Sequence, residues 1–204
     1  MSVPTSGPDA APPAAVILAG GQSRRLGRDK AAVLMEGRTL LERAVALAGN
    51  FCAEVAVSGR DPGPLPGVSC WFLDERPGNG PMGGILTALE RFRAPCLVLS
   101  CDLPFLDRST LGTLLAAWRT RPPHALMTTF AQIETDYIEA LVSVYEPGAA
   151  DVMRRALDQG QRKLSRAFPP ALRHDVPYTV ANARPFFNVN TPEELRQVPG
   201  TGSL

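Results

Sequence analysis

Lysine is scarce in this sequence. Of its 21 basic residues only Lys30 and Lys163 are lysine, and the other nineteen are arginine. With 20 acidic residues the formal net charge is +1, so the surface is not generally basic and we expect no nucleic-acid partner. Where arginine is the usual cation, a lysine close to glycines indicates a compact, mobile charge that suits a phosphate. A surface lysine without a function is the alternative interpretation of Lys30.

The sequence also lacks clustered metal ligands and long apolar runs. Its four cysteines form no C-x-x-C pair and stand in mainly apolar contexts, which predicts reduced core thiols and argues against a zinc or iron–sulfur site. These cysteines are Cys52, Cys70, Cys96 and Cys101. No secretory leader and no apolar run of about 18 residues occurs, so we expect a cytoplasmic protein that does not contact a membrane.

The sequence predicts one folded domain with short extensions at its ends. Residues 1–13 contain four prolines and no periodic apolar pattern, which predicts a disordered arm. We expect a single domain over residues 14–198, where short apolar runs alternate with amphipathic helical patterns. Residues 199–204 are expected to form a tail.

A short apolar run followed by glycines opens this domain. Ala14–Leu18 has the continuous apolar character of a strand that is buried on both faces. Gly20 and Gly21 follow and leave no side chain between the backbone N–H groups and a ligand. Arg24, Arg25, Arg28 and Lys30 then place four cations within seven residues. The stretch therefore predicts a triphosphate-binding loop, with Leu18, Ala19, Gly20, Gly21 and Lys30 as the nucleotide contacts.

Two carboxylates are expected at the same edge of the sheet as this loop. Asp102 follows the apolar strand Cys96–Ser100, and Asp74 follows Cys70–Leu73. Ligands bind at the carboxyl ends of parallel strands, and an aspartate that faces a triphosphate there is suited to Mg²⁺. We therefore predict that Asp102 is the metal ligand and that Asp74 contacts the nucleotide. A helix cap, a turn or an ion pair is the alternative for either residue.

Two further segments point to the same pocket. A second glycine loop at Gly78–Gly84 suggests that a flat ring or a phosphate lies against the backbone, and Gly83 is predicted to contact the nucleotide. Near the C-terminus, Thr191 and Glu194 form a capping-box pattern after an expected strand. Asn188 and Asn190 stand where that strand meets the helix, and because alternating residues point the same way, both amides are expected to face the pocket. An ordinary turn residue is the alternative for either asparagine.

Four of these motifs resemble one enzyme family. L-A-G-G-Q-S-R-R-L-G-R-D-K resembles the signature loop L-A-G-G-x-S-x-R-M-G-x-D-K of nucleotidyltransferases with a sugar-nucleotide-transferase-like fold, above all the molybdenum cofactor guanylyltransferases. The stretches G-P-M-G-G-I, C-D-L-P-F and F-N-V-N-T-P-E-E-L resemble the family's G-P-L-x-G-I, C-D-x-P-F and F-x-N-x-N-T-P-E-D-L elements. The resemblance implies an α/β fold: a three-layer αβα, Rossmann-like sandwich with a mostly parallel sheet and one antiparallel strand, for which Tyr137–Tyr145 is the candidate.

The resemblance also implies a reaction. GTP and molybdenum-bound molybdopterin would be the substrates, and GMP transfer would release pyrophosphate and form the guanine dinucleotide cofactor. Arg25, Lys30 and Asp102 would be the catalytic residues, with Mg²⁺ held by Asp102. Asn188 and Asn190 would lie close to the metal and the transferred phosphate. We expect a monomer that contacts molybdoenzymes or their chaperones transiently. A cytidylyltransferase acting on molybdopterin or on an isoprenoid precursor is the closest alternative, and a non-catalytic GTP- or cofactor-binding module is the other.

Overall fold

Nine strands form the framework of the part of the chain that the structure describes. The computed structural model describes residues 13–20 and 29–200. In chain order the strands are β1 (Ala14–Leu18), β2 (Leu34–Met35), β3 (Arg38–Thr39), β4 (Val55–Ser58), β5 (Cys70–Phe72), β6 (Cys96–Ser100), β7 (Met127–Gln132), β8 (Ile138–Tyr145) and β9 (Arg173–Tyr178). Strands β2 and β3 pair with each other, and the other seven form one sheet in the order β5-β4-β1-β6-β8-β7-β9.

One strand runs against the rest of this sheet. Strand β1 pairs in parallel with β4 and β6, β4 with β5, and β7 with β9. Strand β8 is antiparallel to both of its neighbours, β6 and β7. The prediction of a mostly parallel sheet with one antiparallel strand, over Tyr137–Tyr145, is therefore confirmed. Because of this reversal, β8 begins at the sheet edge where the parallel strands end.

Helices cover both faces of the sheet. They are α1 (Leu40–Ala48), α2 (Pro81–Phe92), α3 (Arg108–Arg119), α4 (Ala149–Asp158), α5 (Leu164–Ala167) and α6 (Pro192–Arg196). Helices α1 and α3 share one buried cluster with Ala15 and Ile17 of β1, whereas α2 and α4 share another with Val16. Adjacent residues of β1 thus pack into opposite layers, which explains its continuous apolar sequence and confirms the three-layer sandwich.

Two parts of the C-terminal half differ from expectation. The strand predicted just before Asn188 and Asn190 is wrong, because Arg184–Phe186 forms a 3₁₀ helix and residues 187–190 have no regular structure. Pro185 lacks the N–H that a strand would need there. Strand β9 was not predicted, since its sequence R-H-D-V-P-Y has no apolar run. It forms at the edge of the sheet, where pairing with β7 stabilises a strand that can carry a proline.

The second glycine loop is shorter than predicted. Helix α2 begins at Pro81, which occupies the favoured first helical position, so Gly83 and Gly84 belong to the helix. The expectation of a loop over the whole of Gly78–Gly84 is therefore wrong beyond Gly80. The consequence is that two glycines present a side-chain-free helix surface to the end of β5.

Three of the four cysteines lie in the core as the sequence predicts, and Cys70 is half-buried. All four are free thiols, and Cys52, Cys96 and Cys101 are buried. Burial raises the pKa of each of these three thiols to about 12, so they are protonated at neutral pH.

Over the described residues no helix is long and apolar enough to cross a membrane.

A close backbone contact joins the ends of β1 and β4. Gly59 has a φ of +94°, and a Cβ placed on it would lie 2.5 Å from the Gly20 Cα atom. The amide of Ala19 donates to the Ser58 carbonyl at 2.9 Å, and that of Gly59 to the Phe72 carbonyl at 2.9 Å. The ends of β1, β4 and β5 are therefore fixed relative to one another at the sheet edge, through glycines that admit no side chain.

The substitution Gly59→Ala tests this contact. A Cβ at Gly59 must displace the Gly20 backbone as well as adopt a left-handed conformation, so we expect the free energy of unfolding to fall by about 3 kcal/mol or more. Gly63→Ala is the matched control, because Gly63 has a φ of +67° but a Cβ added there would meet no atom within 4 Å. It should cost only about 1 kcal/mol. Equal losses in urea denaturation would contradict the close-contact explanation.

Candidate active site

A cleft of about 770 Å³ opens at the carboxyl ends of β1, β4, β5 and β6. Its walls are mostly backbone and small side chains, and two carboxylates face it. The lining residues are Leu18, Gly20, Ser58, Gly59, Leu73, Asp74, Pro77, Gly78, Gly80, Pro81, Gly84, Ser100, Asp102 and Leu141. The cleft therefore lies where open parallel sheets bind their ligands.

Three predicted residues from distant parts of the chain meet beside this cleft. The Lys30 ammonium lies 3.4 Å from Oδ2 of Asp102 and donates a hydrogen bond to Oδ1 of Asn190. The hydroxyl of Ser100 donates to the other Asp102 oxygen at 2.5 Å. The Lys30 and Asp102 side chains are 21% and 17% exposed, so solvent screens their attraction only partly. We call Lys30, Asp102 and Asn190 the charged cluster.

Local hydrogen bonds fix each member of the charged cluster. Asp29 caps the 3₁₀ helix that begins at Lys30 and also forms an ion pair with Arg60. Oε2 of Glu194 accepts hydrogen bonds from the backbone amides of Asn190, at 2.6 Å, and Thr191, at 2.9 Å. The capping box of α6 thus anchors Asn190 from its C-terminal side.

The C-terminal segment is also tied directly to Asp102. The backbone amide of Val189 donates to the Asp102 carbonyl at 3.0 Å. This bond holds residue 190 next to the end of β6 without a strand. The position of Asn190 therefore follows from one backbone hydrogen bond and a helix cap, whereas the sequence prediction relied on strand alternation.

Asp74 stands on the opposite side of the cleft, at the end of β5. The Ser58 hydroxyl donates to its Oδ1 at 3.2 Å. Burial raises the pKa of Asp74, and the hydrogen bond from Ser58 opposes that rise. A Cβ on Gly84 would lie 2.8 Å from the Ser58 hydroxyl and 3.0 Å from Oδ1 of Asp74. The absence of a side chain at Gly84 is therefore what lets α2 approach this pair.

The other predicted contacts are distributed unevenly around the cleft. Leu18 and Gly20 line it, but Ala19 is buried and uses its amide within the sheet. Gly83 lies in α2 beside the Asp74 carboxylate and is not among the lining residues. Asn188 is exposed, and its side chain makes no hydrogen bond to another described residue. The predicted contacts at Gly21 and Arg25 fall outside the described residues.

The donor set near Asp102 is compatible with a hard divalent cation. The described part of the chain contains no group of three or more His, Cys, Asp and Glu residues placed to hold a metal. Mg²⁺ needs no such group when waters and phosphate oxygens complete its shell. Oxygens of Asp102 and Asn190 already converge on the positive Lys30 ammonium, so their surroundings favour a cation.

Ser58, Ser100 and Gly59 were not predicted as part of the site, and Gly84 was predicted only as a member of the second glycine loop. The two serines are the last residues of β4 and β6 and donate to Asp74 and Asp102, respectively. The sequence did contain a signal for these two serines, because each is the single hydroxyl residue at the end of an apolar strand. Gly59 carried none, because its role depends on contact with Gly20, far away in the sequence.

Comparison with known proteins points to one family. The family model of the MobA-like NTP transferase domain matches residues 15–175. A probable molybdenum cofactor guanylyltransferase of Mycobacterium tuberculosis is 35% identical over 193 residues, which cover 90% of this chain and 92% of the relative.

Solved structures agree in fold. The crystal structure of molybdopterin-guanine dinucleotide biosynthesis protein A from Archaeoglobus fulgidus has a TM-score of 0.71 at 28% identity and covers 90% of this chain and 95% of its own. A 4-diphosphocytidyl-2C-methyl-D-erythritol synthase from Anaerococcus prevotii has a TM-score of 0.66 at 12% identity, covering 92% and 94%. The latter likeness shows the fold alone, so the fold does not distinguish between nucleotide bases.

The raised pKa of Asp74 predicts a pH-dependent effect of Asp74→Asn. Below the ordinary carboxyl pKa, Asp74 is neutral in both the folded and the unfolded state, and its burial costs no charge desolvation. As the pH rises through the raised folded-state pKa, the folded protein must hold a buried carboxylate. Asp74→Asn should therefore raise the free energy of unfolding at about pH 7 and lose this gain towards about pH 4.

Ser58→Ala provides the matched background for this measurement. It removes the hydrogen bond that lowers the Asp74 pKa, so the gain from Asp74→Asn should be larger in the Ser58→Ala protein. Urea denaturation of the four proteins across this pH range measures both effects. A gain that does not change with pH would refute the assignment of burial as the cause.

Proposed function

We propose that this chain, which belongs to the MobA-like NTP transferase family, transfers GMP from GTP to molybdenum-bound molybdopterin. The family assignment makes it a nucleotidyltransferase of molybdenum cofactor biosynthesis. The observation that carries the proposal is the convergence of Lys30, Asp102 and Asn190 beside a glycine-lined cleft. The relatives at 30% identity or more that carry the name molybdenum cofactor guanylyltransferase support guanine as the base.

The proposed reaction needs no nucleophile from the protein. An oxygen of the acceptor's phosphate monoester attacks the α-phosphorus of GTP, a new P–O bond forms, and the bond to the bridging oxygen breaks. Pyrophosphate leaves with that electron pair. The protein's contribution is to align the two phosphates and to balance the charge that develops on the leaving group.

The residues of the cleft have separate tasks in this reaction. The backbone after β1 would receive the triphosphate, and Lys30 would face the β- and γ-phosphates. Arg25, which lies outside the described residues, stays a prediction for the same role. Asp102 and Asn190 are the residues that would hold Mg²⁺, which when bound supplies charge neutralisation and holds the phosphates in line. Asp74, Gly78 and Gly80 lie at the other end of the cleft, where the nucleoside is expected.

Two alternatives remain open to test. A cytidylyltransferase would use the same fold and would differ in the base that the cleft accepts and, for an isoprenoid precursor, in the acceptor as well. A non-catalytic GTP- or cofactor-binding module would not require an aspartate and a lysine held against each other at the phosphate end. That arrangement favours catalysis, because leaving-group charge is what it is suited to balance.

Pyrophosphate release with metallated molybdopterin as acceptor tests the proposal. In parallel assays with GTP, CTP and ATP, each with Mg²⁺, we expect GTP to give a kcat/KM at least about tenfold above the other two. A preference for CTP would establish the cytidylyl alternative. No release with any nucleotide, in the presence of measurable GTP binding, would establish the binding module.

Two variants link the measured release to this site. Asp102→Ala should abolish turnover while GTP still binds, because the glycine-lined part of the cleft is unchanged. Asp151→Asn is the matched control, since Asp151 is exposed in the first turn of α4 and pairs with Arg154 away from the cleft. Its turnover should equal that of the unsubstituted protein.

A further inference from the structure

A second cavity lies next to the charged cluster on the β8 side of the sheet. It has a volume of about 570 Å³ and is distinct from the glycine-lined cleft. The residues that matter for its chemistry are Phe105, Tyr137, Glu139, Tyr178, Arg184 and Phe187. We call it the aromatic cavity. Its carboxylate, Glu139, and its two tyrosines were not among the site residues that the sequence suggested.

The chain connects the aromatic cavity directly to the charged cluster. Phe105 follows Asp102 by three residues, and Phe187 precedes Asn190 by three. The two rings contact each other, with centroids 5.7 Å apart, and the Val189 amide joins their segments by its bond to the Asp102 carbonyl. A molecule in the aromatic cavity is therefore next to the residues that are proposed to hold the reacting phosphates.

The reversal of β8 places a carboxylate inside this cavity. Leu99 of β6 pairs with Val142 in antiparallel register, so the chain just before Val142 lies beside the end of β6. Glu139 is there, and it is only 9% exposed. A carboxylate at this position is buried at the edge of the sheet where the acceptor must enter.

Glu139 has unused hydrogen-bonding capacity. The Tyr178 hydroxyl donates to its Oε1 at 2.5 Å, and among the described residues its side chain makes no other hydrogen bond and no ion pair. Within the described residues, Thr128 Oγ1 is the only fully buried side-chain oxygen or nitrogen that lacks a hydrogen-bond partner. Oε2 of Glu139 has no such partner either, so it is not fully buried. It therefore opens on the cavity. Because Glu139 is only 9% exposed, few waters can solvate this oxygen, and N–H donors from a ligand would stabilise it. Burial also raises the pKa of Glu139, and the hydrogen bond from Tyr178 opposes that rise.

The remaining walls suit a flat heterocycle. The Phe105 and Phe187 rings form one side, and the Arg184 guanidinium lies 4.7 Å from the Phe105 ring centroid. Tyr137, 59% exposed, stands at the entrance. Arg184 forms no ion pair with any described residue, so it adds a positive charge to an otherwise aromatic rim.

We propose that the aromatic cavity binds the bicyclic pterin end of the acceptor, with the Glu139 carboxylate accepting hydrogen bonds from its amino-pyrimidinone edge. That edge carries adjacent N–H donors, which a carboxylate can accept together even while Tyr178 occupies one lone pair. The acceptor's phosphate then points towards Asp102 and Asn190. This inference rests on the proposed function, and it makes Glu139 a residue that determines acceptor specificity.

Fluorescence titration with two simple pteridines tests the assignment. Pterin has the 2-amino group, and lumazine has an oxygen in its place. The unsubstituted protein should bind pterin at least about tenfold more tightly than lumazine, because the lumazine oxygen would face the carboxylate without a proton to donate. Glu139→Gln should remove this preference and weaken pterin binding about tenfold or more, with GTP affinity unchanged.

Two further variants make the test independent of folding. Glu134→Gln is the matched control, since Glu134 is exposed in the turn before β8 and accepts from the Val180 amide outside the cavity, so its pterin preference should be intact. Tyr137→Ala removes an exposed ring and should weaken both pteridines by a similar factor of about three to ten. Unchanged affinities in Tyr137→Ala would contradict the position of the ligand.

The failure of this inference can be separated from failure of the proposed function. Equal binding of pterin and lumazine, no binding of either, or full preference in Glu139→Gln would overturn the role of the aromatic cavity. If GMP transfer to the complete acceptor still occurs in the same preparation, the proposed function stands. Absence of transfer together with pterin selectivity that depends on Glu139 would instead contradict the proposed function and support the cavity.

Discussion

The contact between the Lys30 ammonium and the Asp102 carboxylate, completed by the Asn190 amide, is the interaction on which the site depends. It joins the segment after β1, the end of β6 and the segment before α6. The three contact residues, Lys30, Asp102 and Asn190, lie outside the strands and α-helices. Charge attraction in a partly desolvated position, together with one backbone bond and two helix caps, therefore holds these three side chains together.

The sheet divides the region around this contact into two halves with different chemistry. On the side of the parallel strands, glycines bring backbone and helix surface close together and leave a cleft lined mostly by backbone and small side chains. On the other side, antiparallel β8 begins at the same edge of the sheet, where Glu139 and the preceding Tyr137 lie beside the Phe105 and Phe187 rings. One reversed strand thus provides a chemically distinct second half, as a two-substrate transferase requires.

The sequence predicts the framework and the polar centre of the site well, because their signals are local. Apolar runs identify β1 and β6, and the acidic residues that follow β5 and β6 have to lie at the carboxyl edge of a parallel sheet. Asn190 was predicted to lie in the pocket, but from a strand that does not exist; its position depends on the Val189–Asp102 bond and the Glu194 cap. Strand β9 and the Gly20–Gly59 contact depend on partners distant in sequence and leave no local pattern. The same is true of Glu139, whose hydrogen-bond partner, Tyr178, lies 39 residues later in the chain.

The central claim is that Lys30 and Asp102 act on one triphosphate from two sides. A crystal structure of the protein with Mg²⁺ and a GTP analogue that cannot be cleaved between the α- and β-phosphates tests it most directly. We predict that the Lys30 ammonium contacts oxygens of the β- or γ-phosphate and that Asp102 coordinates a Mg²⁺ ion bound to the same triphosphate. A structure in which the triphosphate contacts one of these two residues while the other faces a separate cleft would contradict the claim.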